Sequence, residues 1–424
     1  MGAPLHAYRA QRIIPLAGEK QARGCDALDA PVRVLENAVL LARGGHVEAV
    51  ETYAEYRRRA HHDSALTDLG DVCIAPGLVN AHCHLELSHL AGKTVNGRGF
   101  AVWVRSLLTA LQEPLPSGRT PENDPDFLQA QYVRTLSDAL DAGTAHQGDV
   151  GSRYASLLWQ AAHRAAQERN MPYPLTHFLE ILGFEPPDTT GTLPAAIAAQ
   201  GYAPLCAAAL PKDALSHCAV AGHALYSTAP EGLRAALAWC EEKDRPFNLH
   251  LAESEEEQEC LRQGRGALFD LLAPILLPPD WSAPGLGAVE YAERLGLLTP
   301  RTLAVHCVQC SEADIACLAR NRTAVCLCPR SNAYIGVGKA PAHAMAGAGI
   351  LLCLGTDGLS SNQDLDMRKE LAALHEEHGF SLRAALRIAT VNGAAVLGLP
   401  LLGTLEPGKA ACFSLWPCQS AWTL

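Results

Sequence analysis

Cys73-Ile74-Ala75-Pro76-Gly77-Leu78-Val79-Asn80-Ala81-His82-Cys83-His84-Leu85-Glu86 opens on a mainly apolar run and closes on two histidines one residue apart. The run reads as a buried strand over 73–82, and side chains alternate along a strand, so His82 and His84 leave its C-terminal end on the same side. Two imidazoles so placed can grip one cation. Working outward, similar short apolar runs cover 143–150, 174–182, 219–225, 246–251, 302–306, 323–328 and 350–356, with helical patterns between most of them. Eight strands alternating with helices predict an α/β fold of the (β/α)8 TIM type.

Upstream of the first run the texture differs. Val32-Arg33-Val34-Leu35 and His46-Val47-Glu48-Ala49-Val50 flank Gly44-Gly45, which is a hairpin signal, so the first seventy residues read as β-rich. At the other end, Gly403 to Lys409 turns into one last apolar run that could rejoin that sheet. The expected division is a small β domain over 1–72 and 400–424 around a barrel over 73–399. Within the barrel, Phe100, Trp103, Val104, Leu107, Leu108 and Leu111 fall on one helical face, a stripe expected to pack into the core. Two Pro-rich stretches, 113–126 and 274–284, read as surface loops.

Composition narrows the function. A chain of 424 residues, 48% apolar and 19% charged, buries a large core and is neither a peptide hormone nor globally disordered. With 34 basic against 45 acidic residues, net charge −11 and no basic cluster, the chain lacks the electrostatic footprint for nucleic acid or anionic membrane, so neither is expected as a partner. No apolar run reaches the roughly 18 residues that span a bilayer, and Met1 to Leu16 lacks the apolar centre of a signal peptide. A cytoplasmic location is expected. The 15 cysteines, an odd number scattered along a long chain, suit a reducing compartment, and Cys83, Cys307, Cys326 and Cys328 are expected to act as small buried hydrophobes.

The remaining strand ends carry chemistry too. Asn248-Leu249-His250-Leu251-Ala252-Glu253 ends a strand on a histidine with a glutamate three residues on; Ala304-Val305-His306-Cys307 ends another; Leu354-Gly355-Thr356-Asp357-Gly358 ends the eighth on an aspartate. Each alone would pass for an ordinary core or cap residue. Together they put histidines, a glutamate and an aspartate at one rim, on strands one, five, six and eight, which predicts a metal site. Imidazoles and a carboxylate bind zinc or ferrous iron and leave a position for water, whose pKa falls from about 15.7 to about 7. Asp357 would accept that water's proton, while Glu253 and His306 would donate to or polarise a substrate. A competing zinc reading, His84-Leu85-Glu86 with Cys307-Val308-Gln309-Cys310, fails because the two halves lie far apart, no proline precedes Cys307, and His250 and Asp357 would go unused.

With these residues in view, the chain resembles the amidohydrolase superfamily in its mononuclear aminohydrolase branch. The resemblance runs through Pro76 to His84, His250-Leu251-Ala252-Glu253, His306-Cys307, Ser331-Asn332, Gly355-Thr356-Asp357-Gly358 and Gly403 to Lys409. It implies a distorted barrel with a small β-sandwich domain from both chain ends. By the same resemblance His82, His84, His250 and Asp357 hold one divalent ion per chain, zinc first with iron(II) or manganese as alternatives. Glu253 would shuttle a proton to a ring nitrogen, and His306 would orient the hydroxide. Relatives with two metals use a carboxylated lysine on strand four, but here Lys93, Lys212 and Lys243 end no apolar strand.

The implied activity is hydrolytic deamination of an amino-substituted purine nucleoside, adenosine-like in kind, by a metal-activated hydroxide, with release of ammonia. Glu86 resembles the glutamate that accepts ribose hydroxyls in thio-adenosine and S-adenosylhomocysteine deaminases. His223 resembles a strand-four histidine that meets the nucleoside, although Gly222 and Leu225 replace the prolines of that motif. Leu85 to Leu90 and Phe178 to Phe184 are most similar to bacterial aminodeoxyfutalosine deaminases, which act on a purine nucleoside of menaquinone biosynthesis. Arg105, Arg153 and Arg330 are the candidate partners for that substrate's carboxylate. Alternatives are a chlorohydrolase or deaminase of a triazine, pterin or other amino-heterocycle, and an inactive amidohydrolase-like scaffold. A homodimer is the assembly to test.

Overall fold

The computed structural model describes residues 3–59, 64–151, 154–184 and 214–418. Its strands in chain order are β1 (Leu5–Ile13), β2 (Leu35–Arg43), β3 (His46–Thr52), β4 (Ser64–Asp68), β5 (Val72–Pro76), β6 (Leu78–His84), β7 (Thr144–Val150), β8 (Leu175–Ile181), β9 (Cys218–Ala224), β10 (Phe247–Leu251), β11 (Thr302–His306), β12 (Ala324–Leu327), β13 (Leu352–Leu354), β14 (Asp357–Gly358) and β15 (Phe413–Pro417). One six-stranded sheet runs β15-β5-β1-β2-β3 with β4 beside β1, so it takes strands from both chain ends. The β2–β3 hairpin turns on Gly44 and Gly45, whose φ of 56° and 80° is the paired left-handed geometry such a turn requires.

The second sheet is all parallel, in the order β13-β12-β11-β10-β9-β8-β7-β6-β14. Its two edges are β13 and β14, separated by Gly355 and Thr356 alone. Gly355 N donates to Leu327 O of β12 and Thr356 N to His82 O of β6, so this segment spans both edges and curls the sheet into a barrel of the TIM type. Helices cover the outside. Leu233, Leu237 and Cys240 of the helix Pro230–Glu242, for example, share a core cluster with Phe247, Leu249 and Leu251 of β10.

The strand expected over 73–82 is two strands. Val72–Pro76 pairs with β1 and β15 in the first sheet, and Leu78–His84 opens the second. Between them Gly77 crosses a tight junction, where a Cβ would lie 2.5 Å from Ala145 Cβ and 3.2 Å from Cys412 O. Only glycine passes there, which is why the apolar run looked continuous in sequence yet feeds two sheets. Among the described residues no helix is long and apolar enough to cross a membrane.

Candidate metal and substrate site

The barrel brings His82, His84, His250, His306, Glu253 and Asp357 together at one rim, each 9% exposed or less. His82 and His84 end β6, His250 sits near the end of β10, His306 ends β11 and Asp357 opens β14. Backbone geometry at these ends is unusual. Ala252, His306, Cys307 and Asp357 all have φ between 48° and 71°, a left-handed conformation that non-glycine residues rarely hold and that clusters at functional sites.

The side chains are aimed by partners behind them. His84 Nδ1 faces Val150 O at 2.9 Å, His250 Nδ1 faces His223 O at 2.7 Å, and His306 Nδ1 faces Asn332 Oδ1 at 2.9 Å. Asp357 Oδ2 accepts from Ser331 Oγ at 2.6 Å and Ser361 Oγ at 2.7 Å, which leaves Oδ1 toward the histidines. Asp357 Oδ1 is 3.5 Å from His84 Nε2 and 3.7 Å from His82 Nε2. Glu253 is set by its neighbour: Glu257 Oε1 and Oε2 accept the amides of Ala252 and Glu253, while Ser254 caps the helix Glu255–Gln263.

The donor set fits a cation on one observation above the rest. A carbonyl only accepts, so His84 and His250 carry their protons on Nδ1 and present bare Nε2 lone pairs, which lie 3.3 Å apart with a carboxylate oxygen beside them. Three facing acceptors repel unless a positive charge sits among them. Donor atoms of His82, His84 and Asp357 lie within 4.8 Å of one another, as do those of His82, His250 and His306. Burial disfavours the charged form of two of these imidazoles: it lowers His82 to about 4 and holds His250 well below the usual histidine value. Burial opposes ionisation of Asp357, but His82, His84 and His306 outweigh it and hold the carboxyl well below its ordinary value. Glu253 goes the other way. Burial, with Asp357 and Glu257 adding like charge, pushes it well above its ordinary value and so favours the neutral acid.

A cavity of about 350 Å³ opens over this cluster. Glu86 and His223 both line it, Glu86 on the turn Leu85–Leu90 and His223 on β9 with Nδ1 2.5 Å from Ser227 Oγ. Glu180 of β8 also lines it and had no sequence signal; its donor atom groups with those of His223 and His250. The stripe on the helix Phe100–Ala110 differs most from expectation. Phe100 is buried, but Trp103, Val104, Leu107 and Leu108 are half-buried and form one wall of the cavity, facing Leu272, Ile275 and Leu276. Among the described residues that line it there is no lysine or arginine.

Neither of the two described candidate arginines lines the cavity. Arg330 bonds Asp364 and Glu370, Arg105 is exposed, and Arg153 lies outside the described residues. Cys83, Cys307, Cys326 and Cys328 are fully buried, as small hydrophobes are.

Against known proteins, the family model described as the amidohydrolase family matches residues 73–423. A 5-methylthioadenosine/S-adenosylhomocysteine deaminase of Nitratidesulfovibrio vulgaris is 30% identical over 92% of this chain and 83% of its own length. Among solved structures, Helicobacter pylori aminofutalosine deaminase in complex with methylthio-coformycin superposes with a TM-score of 0.74 at 20% identity, covering 97% of this chain and 92% of that one. A zinc-bound adenosine deaminase from Xanthomonas campestris gives 0.71 at 22% identity, over 99% and 87%.

Proposed function

Because the chain belongs to the amidohydrolase family, we propose that it hydrolytically deaminates an adenosine-like nucleoside and releases ammonia. The observation that carries this reading is geometric: Glu253, a buried carboxyl that burial shifts towards its neutral form, lies 3.6 Å from His306 Nε2 beside the clustered imidazoles and Asp357. Hydrolysis at an amino-bearing ring carbon needs a proton delivered to the adjacent ring nitrogen as water attacks, and a neutral carboxylic acid is the group that delivers it.

His82, His84, His250 and Asp357 would hold one divalent ion, with zinc the best match to a nitrogen-rich set. When bound, the ion supplies Lewis acidity that brings a water's pKa down to about 7. The rest falls to the chain. Asp357, ionised and anchored through Oδ2, takes the proton of the attacking water at Oδ1. Glu253 protonates the ring nitrogen, and His306, with Nδ1 held on Asn332 Oδ1, accepts at Nε2 from the attacking water and orients it. The proton held by Asp357 then passes to the departing amine, and the hydroxyl proton on the attacked carbon returns to Glu253 as the carbonyl forms.

Glu86 and His223 would take the sugar hydroxyls. Beyond them the wall of Trp103, Leu107, Leu108 and Leu276 suits an uncharged, apolar substituent such as a thioether. Aminodeoxyfutalosine, to which Leu85–Leu90 and Phe178–Phe184 point, carries a carboxylate for which the described lining offers no cation. The discriminating assay follows ammonia release from adenosine, 5'-methylthioadenosine, S-adenosylhomocysteine and aminodeoxyfutalosine, with chloride release from a chlorotriazine alongside. Ammonia from the adenine nucleosides, best from the thioether, is expected; chloride release without nucleoside turnover would overturn the reading.

A further inference from the structure

We infer that Asn248 is a positioning residue for His82, joined to it by internal water inside the barrel, an inference that rests on His82 serving as a metal ligand in the proposed function. Asn248 lies on β10 two residues before His250. Phe247, Leu249 and Leu251 pack outward with the helix Pro230–Glu242, so alternation turns Asn248 and His250 inward. The Asn248 side chain is fully buried, and neither its Oδ1 nor its Nδ2 meets a hydrogen-bonding partner in the protein. Its neighbours in register are Ala221 of β9 and Leu303 of β11, which offer it nothing polar.

His82 is in the same position. It is fully buried, its ring centroid lies 4.9 Å from that of His250, and its Nδ1 has no partner in the protein. His84, His250 and His306 each have Nδ1 fixed on an oxygen; His82 stands out as the imidazole of the cluster whose outer nitrogen is not held. A ligand histidine needs that second nitrogen engaged, because the bond sets both the tautomer and the aim of the other nitrogen. A buried amide needs its own ends satisfied. Water accepting from His82 Nδ1–H and bonded to the Asn248 amide answers both requirements at once. The result is a proton fixed on Nδ1 and a bare Nε2 aimed at Asp357 Oδ1, 3.7 Å away.

The test measures metal affinity rather than turnover. Zinc affinity is read by chelator competition for the parent, Asn248→Leu and Asn248→Ser, together with the thermal midpoint of each zinc-free protein. Asn248→Leu should bind zinc about 10–100-fold more weakly, the usual penalty for losing a ligand's outer partner. Its zinc-free midpoint should be unchanged or higher, since an apolar group replaces a buried amide. Asn248→Ser keeps a hydroxyl for the water and should regain most of the affinity; if the leucine variant does not fold, Asn248→Ala against Asn248→Ser gives the same comparison. Zinc affinity within about twofold of the parent in the apolar variants overturns the inference, as does a fall in the zinc-free midpoint that accounts for the weaker binding. Either result leaves the deaminase reading standing, whereas a zinc-binding protein with no ammonia release removes that reading and leaves Asn248 in its role.

Discussion

Glu253 and Asp357 are similarly buried yet their carboxyls are shifted in opposite directions, and the difference is local. His82, His84 and His306 hold Asp357 below its ordinary value, whereas Asp357 and Glu257 add to the burial that raises Glu253. Glu253→Gln keeps the shape and a hydrogen-bond donor but has no proton to transfer. Ammonia release should fall by about 10²–10⁴-fold while metal content, read by elemental analysis, stays at the parent level. Metal loss in step with activity would show instead that Glu253 supports the ligands. A second test concerns Glu86, which packs against Gly151: a Cβ there would lie 2.4 Å from Glu86 Cδ and 2.6 Å from Oε2. Gly151→Ala should displace that carboxylate and raise KM for nucleosides about tenfold or more with metal content intact; an unchanged KM would remove Glu86 from substrate binding. The main histidines and acids were legible in the sequence because each ends an apolar strand. Most of their partners were not. Ser331, on the helix Pro329–Ile335, is part of the family resemblance, but Ser361 reaches Asp357 from the turn after β14, and the Val150 and His223 carbonyls that orient two imidazoles carry no residue signal at all.

At the scale of elements, the helix Phe100–Ala110 shows where periodicity misleads. A 3.6-residue apolar stripe reports that a face is kept from bulk water, not what covers it. Here Phe100 packs into the core and Trp103 and Val104 against it, while Trp103, Leu107 and Leu108 also wall a cavity that Leu272, Ile275 and Leu276 line. Such a wall favours an apolar substituent through burial and disfavours a carboxylate through uncompensated desolvation. Leu108→Arg tests both halves. Measured as kcat/KM, 5'-methylthioadenosine should lose ground to a nucleoside bearing a carboxylate by about tenfold or more, from a new charge pair and lost apolar contact together. If the ratio does not move, the substituent binds elsewhere. The barrel strands themselves were readable from short apolar runs, whereas the split at Pro76-Gly77 was not, since it depends on Ala145 and Cys412 crowding that junction from distant parts of the chain.

At the scale of the molecule, the segment after β1 is tied to the barrel by a link no local pattern announces. Arg387, fully buried at the end of the helix Leu382–Arg387, donates through Nε and Nη2 to both carboxylate oxygens of Glu19 at 2.8 and 2.7 Å, and through Nη1 to Leu28 O at 2.7 Å. A helical turn later Asn392 exchanges hydrogen bonds with both backbone groups of Ala22 and also donates to Leu352 O of β13. In sequence Arg387 looks like any basic residue closing a helix; its importance comes from a partner 368 positions away. Arg387→Met fills the space but leaves Glu19 and the Leu28 carbonyl without their donor. Because Glu19 remains partly open to water, the expected loss lies at the low end for a broken buried pair, about 3 kcal/mol by urea unfolding. Bound zinc stabilises the native state by a separate term, about 2.7 kcal/mol at a hundred times its Kd. The link shares no hydrogen bond with the site, so the two effects should add: chelation should cost Arg387→Met as much stability as it costs the parent, within about 0.5 kcal/mol. A variant whose zinc-dependent stabilisation shrinks along with its overall stability would mean that this link helps shape the metal site, and that the terminal segment is part of the active structure rather than a brace upon it.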